Sequence, residues 1–283
     1  ILSHLNARFR AFEIGQRHYD TGNDLFERML DRRLNYSCAY WRPGDDLDAA
    51  QERKLALTCH KLKLKPGMRV LDVGCGWGAF AFYAAEKFGV EMVGITVSRQ
   101  QVDYCRKRTG DMPVTVRYQD YRNLRERFDR IVSIGMFEHV GFANYRTYMR
   151  VVRQCLKPGG IFLLHTIGGN RSVRSVDPWI GKYIFPNSMV PSAHQIMAAS
   201  EGLLALEDWH SFGAHYEPTL MAWHRKVTSR WDEIKAGYSE RFYRMWTYYL
   251  LVSAGSFRAR RNQLWQIVFS RNGLRGGYEA VHR

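Results

Sequence analysis

The sequence has no apolar run approaching the roughly 18 residues that a membrane-spanning helix needs. Its most apolar stretches, residues 131–137 and 160–164, have the length of buried strands. An integral membrane protein is thereby excluded. Cysteine is also sparse, with five residues at positions 38, 59, 75, 105 and 155, and no C-x-x-C pair among them. With no secretory signal ahead of them, neither a disulfide framework nor a zinc knuckle is supported. A reduced, cytosolic compartment is expected, with no metal. Acidic residues are few: 27 Asp and Glu stand against 42 Lys and Arg in 283 residues, a net charge of +15. That excess predicts a polyanionic partner, either nucleic acid or an anionic lipid surface. Charge alone does not choose between them. At 46% hydrophobic and 24% charged residues, the composition argues for a folded globular chain.

The opening residues Leu2, Leu5, Phe9 and Phe12, spaced three to four apart, predict an amphipathic helix. A second helix is expected over 47–62, ended by Lys65-Pro66-Gly67. Strand and helix patterns then alternate. Strands are predicted at 69–73, 91–97, 114–118, 128–134 and 160–167. Helices are predicted at 79–88, 98–108 (with Ser98 as N-cap) and 144–156. Continuously apolar strands alternating with helices imply a doubly wound parallel α/β sheet. After Ile167 the rhythm breaks. Pro178, Pro186 and Pro191 interrupt the chain, a strand is expected near 206–212, helices rich in aromatic residues over 214–259, and a last strand over 264–270.

The densest signal is Asp72-Val73-Gly74-Cys75-Gly76-Trp77-Gly78. Glycines at a strand-to-helix turn let backbone approach a ligand without Cβ clashes. With Ala79 the run also satisfies G-x-G-x-x-A, the dinucleotide pattern. However, the second strand ends Gly94-Ile95-Thr96-Val97-Ser98, with no acidic residue to hold a ribose. Thr96 and Gln101 are substitute polar groups there. The D-x-G-x-G-x-G arrangement more closely resembles the first motif of class I S-adenosylmethionine-dependent methyltransferases. In an open α/β sheet the ligand lies beyond the carboxyl ends of the strands. Glu138-His139 follows the fourth strand and His165-Thr166-Ile167 ends the fifth, so neighbouring tips would bring Glu138 and His165 into one pocket.

Six segments taken together resemble cyclopropane-fatty-acid-phospholipid synthases and the related mycolic acid cyclopropane synthases. They are Tyr36-Ser37-Cys38-Ala39-Tyr40-Trp41, residues 72–78, Gln119-Asp120-Tyr121, Phe137-Glu138-His139-Val140-Gly141, His165-Thr166-Ile167-Gly168 and Thr219-Leu220-Met221-Ala222-Trp223. The resemblance runs from about His18 to Ser270. It implies a class I methyltransferase fold with N-terminal helices and a mainly helical insertion over the active site. The expected divisions are 1–62 for the N-terminal helices and active-site loop, and 63–168 for the donor-binding core. A lipid-binding insertion at 169–259 includes the strand near 206–212, and 260–283 holds the last strand and tail. Bacterial members carry a further N-terminal domain, so chain preceding Ile1 is expected.

The resemblance also implies methylene transfer from S-adenosylmethionine to a cis double bond of an unsaturated phospholipid acyl chain. The carbocation formed would lose its proton to a bound bicarbonate ion. The residues matching the bicarbonate cradle are Cys38, Glu138, His165, Ile167 through its backbone N–H, and Tyr216. Those matching the donor site are Tyr36, Ser37, Gly74, Gly76, Thr96, Val97, Gln101, Gln119, Asp120 and Tyr121. Tyr36 and Phe137 are aromatic faces for cationic charge, and His139 reads as a core or loop-facing histidine. The aromatic insertion supplies walls for an acyl tunnel. Arg258, Arg260, Arg261, Arg271 and Arg275 suit phospholipid headgroups. The enzyme is expected to be cytoplasmic and peripheral at the inner membrane face, with a homodimer among the assemblies allowed. Related enzymes that quench the cation differently give methyl-branched lipids. A nucleic-acid methyltransferase is disfavoured, because the fourth strand lacks an N/D-P-P-Y loop and no Pro-Cys pair occurs.

Overall fold

Seven strands form one sheet in a computed structural model that describes residues 23–281. The amphipathic helix expected at Leu2–Phe12 lies outside the described residues. The strands are β1 (Arg69–Val73), β2 (Glu91–Thr96), β3 (Val114–Tyr118), β4 (Phe128–Ile134), β5 (Leu156–Gly169), β6 (Ala205–Ser211) and β7 (Asn262–Ser270), in the order 3-2-1-4-5-7-6. The first five pair in parallel, whereas β7 runs antiparallel to both β5 and β6. The sheet is therefore mixed, not wholly parallel as the strand–helix alternation suggests. Its β5–β7 hydrogen bonding comes from chain that returns after the helical insertion.

Helices α1 (Asn23–Met29), α2 (Leu47–Lys61), α3 (Ala79–Phe88), α4 (Arg99–Thr109) and α5 (Tyr145–Cys155) precede β5. In α5, Tyr145, Tyr148, Met149, Val152 and Cys155 are buried at helical spacing, which fixes the face laid on the sheet. Local caps set the boundaries. Asp46 accepts from Ala49 N–H at the start of α2, and Ser98 accepts from Gln101 N–H at the start of α4. Strand β5 begins four residues earlier than its apolar pattern, at Leu156. The register jumps from Phe128↔Leu156 to Arg130↔Ile161, so 157–160 bulge out of the ladder.

After β5 come α6 (Pro178–Tyr183) and α7 (Ala193–Ser200), and between β6 and β7 come α8 (Tyr216–Ser229) and α9 (Glu240–Arg258). The sheet has an apolar core on each face. A third, strongly aromatic cluster joins α1, α8 and α9 beyond the strand tips, where Phe26, Tyr216, Trp223, Trp246 and Tyr249 pack together. It roofs the end of the sheet at which strands β1, β4 and β5 finish.

Candidate active site

The turn from β1 into α3 makes a narrow polar cleft of about 70 Å³. Gly74 has φ +81°, and a Cβ there would lie 2.6 Å from Met136 Cγ, so only glycine lets the turn pass the end of β4. Tyr36, Ser37, Gly74, Gly76 and Gln101 line this cleft, together with Asn35, Lys54, Asp72 and Trp77. Lys54 Nζ donates to Asn35 Oδ1 at 2.8 Å and Ser37 Oγ at 3.1 Å, bracing the loop that carries Tyr36. Burial pulls Lys54 down to about 8 and lifts the Asp72 carboxyl to about 7, the latter opposed by the Lys54 charge.

Of the remaining residues matched to the donor, Thr96 bonds Gln101 Oε1 at 2.7 Å and accepts from Ser98 N–H. Val97 follows the end of β2, and Gln119 N–H donates to Thr96 O, tying the β3 tip to the β2 tip. Asp120 caps the turn of Tyr121–Asn123 and pairs with the Arg122 guanidinium at 2.9 Å. Tyr121 is buried edge-on against Tyr148. These last three gather at the β3 tip rather than among the residues lining the cleft.

The second cavity is of a different kind. It has a volume of about 840 Å³ and lies between the β5 tip, α6, α8 and α9. Its walls include Phe185, Ile180, Leu220, Tyr249 and Phe257, and its mouth includes Val173, Trp179, Tyr248, Val252 and Arg261. Tyr36 and Gly135 line both cavities, so the polar cleft and the apolar chamber meet there. Tyr36 is held by its hydroxyl, 3.0 Å from that of Tyr249, and by ring contacts to Phe26 and Trp223.

Glu138, Ile167 and Tyr216 face this chamber. The Ile167 N–H donates to Glu138 Oε1 at 2.6 Å. The other carboxyl oxygen, Oε2, is buried with no hydrogen-bond partner among the described residues. Burial lifts the Glu138 carboxyl to about 7, against the pull of the Ile167 N–H. His165 is fully enclosed at the end of β5, with Nε2 likewise lacking a partner among the described residues. Burial, reinforced by Lys54 and Lys61, holds its pKa well below the usual histidine range. Gly135 N–H donates to His165 O, joining the β4 and β5 tips. Cys38 is fully buried and lines neither cavity; its thiol donates to Ala39 O at 3.2 Å and burial pushes its pKa well up. Thr219 ties this loop to α8: its hydroxyl oxygen accepts from Ala39 N–H and Trp41 Nε1–H and donates to His215 O.

Some expectations need correction. Phe137 is fully buried and stacked on Tyr145 with ring centroids 4.3 Å apart, so it presents no face to the chamber. His139, read as core or loop-facing, lines the chamber, and burial draws its pKa down to about 4. Of the five arginines, Arg261 lines the mouth, Arg258 pairs with Glu217, and Arg271 donates to Leu156 O. Gly168, the last residue of the β5 motif, is required by packing: a Cβ would lie 2.0 Å from the Trp265 ring. Asn35, Lys54 and Gln266 carry no local sequence signal. A lysine within a helix reads as solvent-facing, and a glutamine in an apolar strand as an edge residue.

The sheet order and a glycine-lined cleft at the β1 tip define an S-adenosylmethionine-dependent methyltransferase. A mycolic acid cyclopropane synthase, CmaA1, complexed with SAH and CTAB, superposes with a TM-score of 0.86 at 32% identity, covering 92% of this chain and 98% of that one. The family model for mycolic acid cyclopropane synthetase matches residues 6–267, so the chain belongs to that family. It is 56% identical to the cyclopropane-fatty-acyl-phospholipid synthase of Escherichia coli (strain K12), over 97% of this chain and 72% of the relative. It is also 36% identical to a probable fatty acid methyltransferase of Pseudomonas putida, over 89% of this chain and 67% of the relative.

Proposed function

We propose that this enzyme transfers a methylene group from S-adenosylmethionine to the cis double bond of an unsaturated acyl chain in a membrane phospholipid, forming a cyclopropane ring. The observation that carries this reading is the meeting of a small polar cleft and a large apolar chamber at Tyr36 and Gly135. An isolated olefin is a weak nucleophile, so alignment and exclusion of water must supply much of the rate. The aromatic walls exclude water that would otherwise trap the cation. The ring of Tyr36 offers a face that stabilises positive charge by about 0.5–2 kcal/mol. S-adenosylmethionine supplies the electrophilic methyl, and Tyr36, Ser37, Gly74, Gly76 and Gln101 form its cleft. Thr96, Val97, Gln119, Asp120 and Tyr121 complete that end at the neighbouring strand tips.

Bicarbonate suits the residues beside the chamber, because Glu138 Oε2 and His165 Nε2 are two buried polar atoms with no partner among the described residues. When bound, it supplies the base that takes the proton from the incoming methyl. Glu138 would accept from its O–H, while His165 and Tyr216 would donate to its oxygens. Cys38 and the Ile167 N–H complete the cradle. Their present partners are Ala39 O and Glu138 Oε1, so they take part by sharing those donors.

The acyl chain enters from a bilayer. Val173, Tyr248 and Val252 at the mouth are exposed apolar residues, and Leu251 extends the same face of α9. With the net charge of +15, this rim suits peripheral contact with an anionic cytoplasmic leaflet. The similarity to a probable fatty acid methyltransferase favours a second outcome, a methyl-branched chain made from the same cation.

Incubation with methyl-labelled donor and monounsaturated phospholipid vesicles separates these readings. One added methylene with high-field cyclopropane proton signals supports the first. An added methylene with olefinic protons supports branching. In a parallel incubation with RNA added alongside the vesicles, label appearing in RNA but not lipid overturns both.

A further inference from the structure

Helix α2 buries a polar stripe. Gln51, Lys54, Thr58 and Lys61 are all buried and recur at helical spacing, so they lie along one face, against the sheet. At one end, Gln51 Nε2 and Lys54 Nζ hold the loop of Asn35 and Ser37. At the other, Lys61 Nζ lies 3.0 Å from His210 Nδ1. Between them, Thr58 meets Gln266, whose cross-strand neighbour on β5 is His165. Burying four polar side chains costs more than burying apolar ones unless each is matched to a partner.

The hydrogens at this junction follow one from another. Thr58 Oγ1 donates its single proton to Lys54 O at 2.8 Å. Its oxygen remains only as an acceptor, so the Gln266 group 3.0 Å away is the amide NH₂. The same nitrogen lies 3.4 Å from His165 Nδ1, which must then be the acceptor and carry no proton. Burial together with the charges of Lys54 and Lys61 keeps the ring neutral. Its one proton therefore resides on Nε2.

We propose that Gln266, oriented by Thr58, is a positioning residue that fixes His165 in the Nε2–H tautomer. That atom is the ring nitrogen without a partner among the described residues. A donor there attracts an anion, whereas the opposite tautomer would present a lone pair and repel it. The consequence for turnover rests on the reading that His165 helps to hold bicarbonate; the tautomer itself does not.

The test uses the whole chain labelled with ¹⁵N-histidine. Long-range ¹H–¹⁵N correlations read the His165 tautomer, assigned by the signal lost in His165→Gln. Wild type is expected as Nε2–H. In Gln266→Met, which keeps side-chain length without a donor, the Nδ1–H form should appear and turnover should fall about ten-fold. Affinity for S-adenosylhomocysteine should not change. Thr58→Val frees the amide to turn over and should shift the tautomer in the same direction, by less. An Nδ1–H wild type, or an unchanged tautomer in both variants, overturns the proposal. A shifted tautomer with unchanged turnover upholds Gln266 as the positioning residue and removes His165 from the proposed reaction.

Discussion

The two cavities that meet at Tyr36 and Gly135 are built in opposite ways. The donor cleft is small and polar, and its floor is one contiguous turn whose backbone is set by Gly74 and Gly76. The apolar chamber is about twelve times larger (840 against 70 Å³) and takes its walls from side chains between Tyr36 and Asn262. A fixed ligand with many polar atoms needs rigid, close backbone, whereas a flexible acyl chain needs volume and dry walls. Glu138 and Ile167 stand on the chamber side of the boundary, so changes there should affect turnover without affecting donor binding.

The sharpest attempt to break that separation is Glu138→Gln. Turnover should fall about a thousand-fold, the scale of losing a group that serves proton transfer. Calorimetric affinity for S-adenosylhomocysteine should stay at the wild-type value. A parallel loss of both would show that the two regions are coupled.

The same residue predicts a stability effect. Burial raises the Glu138 carboxyl from 4.5 to about 7, so the folded state binds this proton more tightly than the unfolded state. The associated stability is fully present below 4.5 and is lost as pH rises through 7. Glu138→Gln has no proton to lose. Denaturant titrations without ligands should show its stability, relative to wild type, rising by about 3 kcal/mol between pH 4 and pH 8. A difference independent of pH would mean that the carboxyl is not desolvated.

On the donor side, Gly74→Ala places a methyl against Met136 in a left-handed backbone position. It should cost about 1–3 kcal/mol of local strain and weaken S-adenosylhomocysteine binding at least ten-fold. The smallest effect belongs to Cys38→Ser, because a hydroxyl still donates. Turnover should drop about three-fold, within the energy of one altered hydrogen bond, with donor affinity unchanged.

The difference between the cavities also explains what could be read in the sequence. The β1 turn is legible because it packs its constraints into residues 72–78, each glycine answering a local need. Glu138 is legible because strand tips are where an open sheet presents ligands, whereas His165, at the neighbouring tip, is enclosed and lines neither cavity. The antiparallel course of β7 is not, since an apolar run such as Leu264-Trp265-Gln266-Ile267 carries no direction. Phe137 misleads because the aromatic next to the candidate carboxylate of Glu138 packs inward on Tyr145. Lys54, Thr58 and Gln266 form one seam only after α2 lies across β5 and β7, and no spacing in the chain announces such a meeting. The chamber walls are similarly silent: Phe185 and Tyr249 line it, while Trp223 and Trp246 of the same aromatic region are core.

Turnover in buffer stripped of carbon dioxide tests the Glu138–His165 cradle most directly. Product should fall to a small residue in wild type and return on addition of bicarbonate, while Glu138→Gln stays inactive at every bicarbonate concentration. Full wild-type turnover in stripped buffer, or equal rescue of Glu138→Gln, would contradict the assignment of that cradle.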